Sequence, residues 1–88
     1  MVAYKIFIKK SAARELEGIA GKVLMKLLAR IEALAEEPRP PGVEKLAGVD
    51  LWRIRQGNYR IIYSIEDAIL TVWIVKVGHR REVYRRNK

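Results

Sequence analysis

Val2, Tyr4, Ile6 and Ile8 alternate with Ala3, Lys5, Phe7 and Lys9. This two-residue period predicts a β-strand with one strongly apolar face. Ser11 is placed to cap a helix in which Ala12, Ala13, Leu16, Ile19 and Ala20 recur at helical spacing beside charged Arg14, Glu15 and Glu17. Gly18 and Gly21 predict a break before a second helix. From Lys22 onward, Leu24, Leu27, Leu28, Ile31, Leu34 and Ala35 line one side of that helix, while Lys22, Lys26, Arg30, Glu32 and Glu36 line the other. Pro38, Pro40, Pro41 and Gly42 end it, since proline lacks an N–H and turns the preceding residue away from helical angles.

The rest predicts three strands, at about 50 to 56, 59 to 65 and 69 to 76, rich in Ile, Val, Trp and Tyr. Gly57-Asn58 suits a two-residue hairpin loop, and Glu66-Asp67 falls where the next turn is needed. The order is βααβββ: an α+β fold with an N-terminal strand, a helical hairpin and an antiparallel three-stranded meander. With 88 residues and 50% hydrophobic content, residues 1–88 are expected to form a single domain.

A Gly57-Asn58 loop fixes the hairpin register. Gln56 faces Tyr59, Arg55 faces Arg60, Ile54 faces Ile61, Arg53 faces Ile62 and Trp52 faces Tyr63. Trp52, Ile54, Ile61 and Tyr63 then form an apolar face for the helices, and Arg53, Arg55 and Arg60 emerge together on the other. At an effective dielectric near 20, two guanidiniums ~6 Å apart repel by about 2 to 3 kcal/mol. A bound anion, or splaying into water, would relieve that repulsion.

Charge sharpens this picture. The formal net charge is +8, with nine Lys+Arg against seven Asp+Glu over residues 1–50 (+2) and nine against three over residues 51–88 (+6). Seven of those last nine are arginine, whose planar fork matches pairs of phosphate oxygens. The basic run His79, Arg80, Arg81, Tyr84, Arg85 and Arg86 encloses an aromatic ring, a composition suited to backbone phosphates and a stacked base. Other chemistries find no support. There is no cysteine, and one histidine alone cannot make a zinc site. Gly18-Ile19-Ala20-Gly21-Lys22 lacks Walker spacing, and Glu32, Glu36 and Glu37 belong to a solvated helix face or its end. No run reaches the ~20 apolar residues of a membrane helix and no signal peptide is evident, so a cytoplasmic protein without a membrane partner is expected.

Through Lys45-Leu46-Ala47-Gly48, Leu51-Trp52-Arg53-Ile54-Arg55 with Tyr59-Arg60-Ile61-Ile62-Tyr63, and Val77-Gly78-His79-Arg80-Arg81-Glu82-Val83-Tyr84, the chain resembles the RelE family of the RelE/ParE toxin superfamily over nearly its whole length. The resemblance implies a curved antiparallel sheet packed on two helices. It also implies the toxin of a type II toxin-antitoxin system: an endoribonuclease that needs no cofactor, cuts mRNA in the ribosomal A site and so inhibits translation. Its implied partners are a cognate antitoxin and the ribosome with its mRNA, with DNA reached only through the antitoxin complex.

Carried over by motif, the family's basic pair falls on Arg53 and Arg55, its phosphate-binding arginine on Arg60, its late catalytic arginine on Arg80 and its C-terminal tyrosine on Tyr84. Arg81, Arg85 and Arg86 extend the RNA-binding surface. Some relatives carry lysine where Arg53 and Arg55 stand, and arginine where Ala47 stands. Arginine does not lose its proton, so attack by a ribose 2′-hydroxyl would need its base elsewhere, either at His79 or in orientation by the ribosome alone. Two other readings remain open: a ParE-like inhibitor that poisons DNA gyrase by protein contact, and a non-catalytic RNA-binding module.

Overall fold

A computed structural model describes residues 3–79. The elements are β1 (Lys5–Ile8), α1 (Lys10–Glu17), α2 (Gly21–Ala33), β2 (Glu44–Lys45), β3 (Trp52–Gln56), β4 (Tyr59–Glu66) and β5 (Thr71–His79). They form an α+β fold whose five strands lie in the order β1-β5-β4-β3-β2. The meander β3-β4-β5 is antiparallel, as expected, and β1 runs parallel to β5 with Phe7 opposite Trp73. A parallel neighbour requires a long crossover, which the two helices and the strands after them provide.

Four local expectations are corrected. Helix α1 begins at Lys10 with Lys9 as its N-cap and no side-chain cap bond, so Ser11 lies within the first turn and is not the cap. A two-residue strand, β2, was not foreseen; it places Glu44 opposite Arg53 and Lys45 opposite Trp52. The turn expected at Glu66-Asp67 is longer than those two residues: a 3-10 turn at Asp67–Ile69 that closes through left-handed Leu70 (φ 49°). Strand β5 starts at Thr71 and runs on to His79, past the expected end at residue 76.

The glycine break is real: Gly18 ends α1, and Gly21 opens α2 at φ 67°, a conformation that costs a side-chain-bearing residue about 1 kcal/mol. This turn lets both helices lie on one face of the sheet, α1 against β5 and α2 towards β3. Between helices and sheet lie Ala12 and Leu16 of α1, Leu27 and Ile31 of α2, Leu34, and the inward residues Ile54, Ile61, Tyr63, Ile65, Val72, Ile74 and Val77. The Tyr63 hydroxyl donates 2.7 Å to the Pro38 carbonyl, tying the proline connector to the sheet, and burial pushes its pKa up to about 12.

At the β1 end, Asp67 gathers three segments. Arg39 reaches both its oxygens, at 3.2 and 2.9 Å, and the Tyr4 hydroxyl donates to Oδ1 at 2.6 Å. The hydrogen bonds from Arg39, then Tyr4, hold its pKa down to about 2 from the usual 3.8. A carboxyl depressed on folding stabilises the fold fully above the unfolded value and loses that contribution as pH falls through the folded one. Asp67→Asn is therefore expected to lower the melting temperature at pH 7, with the difference from the parent closing between pH 4 and 2. A difference that stays constant over that interval, measured by circular dichroism, would mean the carboxylate's charge is immaterial.

Candidate functional site

The Gly57-Asn58 loop, with Gly57 at φ 61°, sets the hairpin register residue for residue as the sequence predicts. Arg53, Arg55 and Arg60 therefore share the sheet face that points away from the helices, with Arg55 and Arg60 directly opposite each other and their Cα atoms roughly 5 Å apart. They are not three equivalent cations splayed into water. Arg55 is exposed, the Arg53 side chain keeps 22% of its surface, and Arg60 keeps only 3%.

Glu44, absent from the candidates drawn from the sequence, joins them. Its Oε1 accepts from Arg53 Nε at 3.0 Å and Nη2 at 2.5 Å. The Arg53 hydrogen bond, then the charges of Arg53, Arg55 and Arg60, hold its carboxyl below the usual carboxylate range. An ionised carboxylate bonded to Arg53 thus stands at the edge of the arginine cluster, and its charge lowers the repulsion within it. A signal for it existed in principle, because a strand entering beside β3 must face Arg53 with some residue. Two residues are too few to show a period.

Lys76 follows on the same face, opposite Ile62, and pairs with Glu15 of α1. The other Glu15 oxygen accepts from the Val77 N–H at 2.8 Å, on the stretch of β5 that β1 does not reach. Helix α1 thereby closes an open strand edge close to Gly78, the partner of Arg60.

The structure does not bring His79 to the arginines. It is opposite Tyr59, whose side chain lies on the helix side of the sheet, and the two rings meet edge to face with centroids 5.3 Å apart. With Val23, Lys26, Gln56, Asn58 and Tyr59, His79 lines a cavity of about 400 Å³ between α2 and the hairpin tip. The expected residues Arg80, Arg81, Tyr84, Arg85 and Arg86 lie outside the described residues. Among the described residues no group of three or more His, Cys, Asp or Glu could hold a metal ion, and no helix is long and apolar enough to cross a membrane.

A fixed face of arginines with one carboxylate can hold a phosphodiester, stabilise a pentacoordinate phosphorane and accept a proton. Comparison with known proteins agrees with the fold on which this face stands. Residues 6–84 match the family described as the ParE toxin of the type II toxin-antitoxin system, parDE. Toxin RelG of Mycobacterium tuberculosis is 32% identical over 87 residues, covering 94% of this chain and 98% of that protein. Among solved structures, the toxin-antitoxin complex RelBE2 from M. tuberculosis superposes with a TM-score of 0.82 at 29% identity, over 91% of this chain and 94% of its own. The archaeal RelE-RelB complex from Pyrococcus horikoshii OT3 gives 0.80 at 31% identity, over 89% and 96%. The isolated E. coli RelE toxin gives 0.77 at 28% identity, over 97% and 95%. The chain belongs to the RelE/ParE superfamily of toxins of type II toxin-antitoxin systems.

Proposed function

We propose that this toxin is a ribosome-dependent endoribonuclease that cuts mRNA in the A site and so stops translation. The observation that carries this reading is the arginine face with Glu44 set into it, a combination of phosphate-binding forks and a proton acceptor. A toxin acting only through protein contact has no need of convergent arginines around an ionised carboxylate.

In the proposed reaction the 2′-hydroxyl oxygen attacks the adjacent phosphorus, the P–O5′ bond breaks, and the products carry a 2′,3′-cyclic phosphate and a 5′-hydroxyl. Glu44 accepts the 2′-hydroxyl proton, and Arg53 holds its carboxylate in place. Arg55 and Arg60 stabilise the extra charge on the phosphorane, and the low exposure of Arg60 strengthens that effect. Arg80 is assigned to stabilising the negative charge on the leaving 5′-oxygen, which takes its proton from solvent water, Tyr84 to stacking on a base, and Arg81, Arg85 and Arg86 to the RNA backbone. His79, on the opposite face beside Tyr59, is assigned to packing and not to proton transfer.

The proposed partners are the ribosome with its mRNA in the cytoplasm and a cognate antitoxin. The net charge of +8 favours an acidic antitoxin, and the solved relatives named as RelE-RelB complexes support that pairing. The matching family's ParE description favours a second reading, a gyrase poison without catalysis. To separate the two, purified protein is incubated with naked mRNA, with mRNA on ribosomes, and with gyrase and plasmid. Cutting confined to the ribosomal sample is expected. Gyrase-dependent DNA breaks with intact RNA would select the second reading.

A further inference from the structure

The arginine face continues past the arginines. Along β4, Ser64 follows Arg60 and Ile62 on that face; it is opposite Trp73, which is opposite Phe7. Phe7 and Trp73 stack with centroids 4.9 Å apart at 26°, and Phe7 leaves 44% of its surface exposed. The Trp73 indole N–H donates 3.0 Å to Glu66 Oε1, which holds the ring in place. Trp73, Ser64, Glu66, Asp50 and Lys9 line a cavity of about 400 Å³. Asp50 stands 3.9 Å from Lys45 Nζ, and the proposed reaction uses none of the groups that line this cavity.

The cavity's chemistry selects its ligand. An exposed aromatic stack on a nucleic-acid face is a platform for an unpaired base. Two carboxylates at its rim exclude a phosphate and instead accept N–H donors from a base edge, while Lys9 offers a cation to the backbone beside it. Guanine offers two adjacent donors, N1–H and N2–H, to one carboxylate. Uracil presents carbonyl oxygens on either side of its single N–H, which carboxylates repel. Ser64 lies four residues from Arg60 on a strand, roughly 13 Å away, or about two nucleotides of extended RNA. We propose that the cavity beside the Phe7–Trp73 stack is a nucleobase subsite that selects guanine about two nucleotides from the phosphate held by the arginines. The proposal rests on the arginine face being an RNA site.

Trp73 is its own probe. Of the two tryptophans, Trp52 is replaced by Trp52→Phe. Emission is then titrated with oligouridine and with the same strand carrying one guanosine, while anisotropy of the end-labelled strand reports total binding. The guanosine strand is expected to quench Trp73 and bind about fivefold more tightly. Asp50→Asn with Glu66→Gln should bring that ratio to about one while binding itself persists. Binding that Arg55→Ala abolishes but that leaves Trp73 emission unchanged overturns the subsite, as does an equal affinity for both strands or no binding to either. Cutting of mRNA on ribosomes is measured in parallel. Intact cutting without guanosine selectivity removes the subsite alone; guanosine-selective quenching without cutting removes the nuclease reading and leaves the subsite standing.

Discussion

Arg60→Ala is expected to lower the single-turnover rate of mRNA cutting on ribosomes by roughly 10²- to 10³-fold, the usual cost of removing one donor aimed at developing charge. Arg60 is directly opposite Arg55 and keeps 3% of its surface, so its charge is poorly screened by water and acts strongly on a phosphate at that face. The loss should be the same at every pH between 5 and 8, because Arg60 acts through a fixed charge and transfers no proton. Since Arg60 is buried, its removal also alters packing, and a melting curve must accompany the rate. Arg60→Lys supplies the control: it retains the charge without the planar fork and should recover part of the rate. A folded Arg60→Ala protein with near-normal cutting would remove this residue from the reaction.

Glu44→Gln is expected to cost about 10²-fold, the typical contribution of a positioned base. Arg53 and its neighbours hold the Glu44 carboxyl below its usual 4.5. It is therefore ionised throughout the range in which ribosomes are active, and the parent rate should show no acid limb between pH 5 and 8. The alternative base, His79, predicts the opposite response to substitution. His79→Ala should leave the profile and the rate near those of the parent. A rate that His79→Ala lowers about 10²-fold and Glu44→Gln leaves unchanged would return the proton to the histidine and require the end of β5 to rearrange on the ribosome.

Parts of the molecule governed by local chemistry were legible in the sequence. The Gly57-Asn58 turn and strict alternation on either side determine which arginines share a face, and every pair from Trp52–Tyr63 to Gln56–Tyr59 appears as that rule requires. The inward face of α2 was equally legible, at Leu27 and Ile31, with Leu34 just beyond its end. What escaped depends on distant partners. The parallel seat of β1 beside β5 is set by a crossover that no window of residues contains. Glu44 becomes part of the site only because a two-residue strand comes alongside Arg53. Which face His79 takes was left open for a smaller reason. Gly78 has little strand propensity, so the strand seemed to end before it, whereas continued pairing through Gly78 carries His79 to the helix side. The depth of Arg60 was likewise invisible, since alternation says which face a residue takes but not how far neighbours cover it.

The most direct test of the central claim uses one mRNA made in two forms, identical except that one carries a 2′-deoxynucleotide immediately 5′ of the cut phosphate. Each is bound to purified ribosomes with that codon in the A site, treated with the toxin and mapped by primer extension. A single cut is expected in the all-ribose message, leaving a 2′,3′-cyclic phosphate, and no cut in the deoxy-substituted one. Equal cutting of both forms, or intact messages of both kinds from an active toxin, would contradict the central claim.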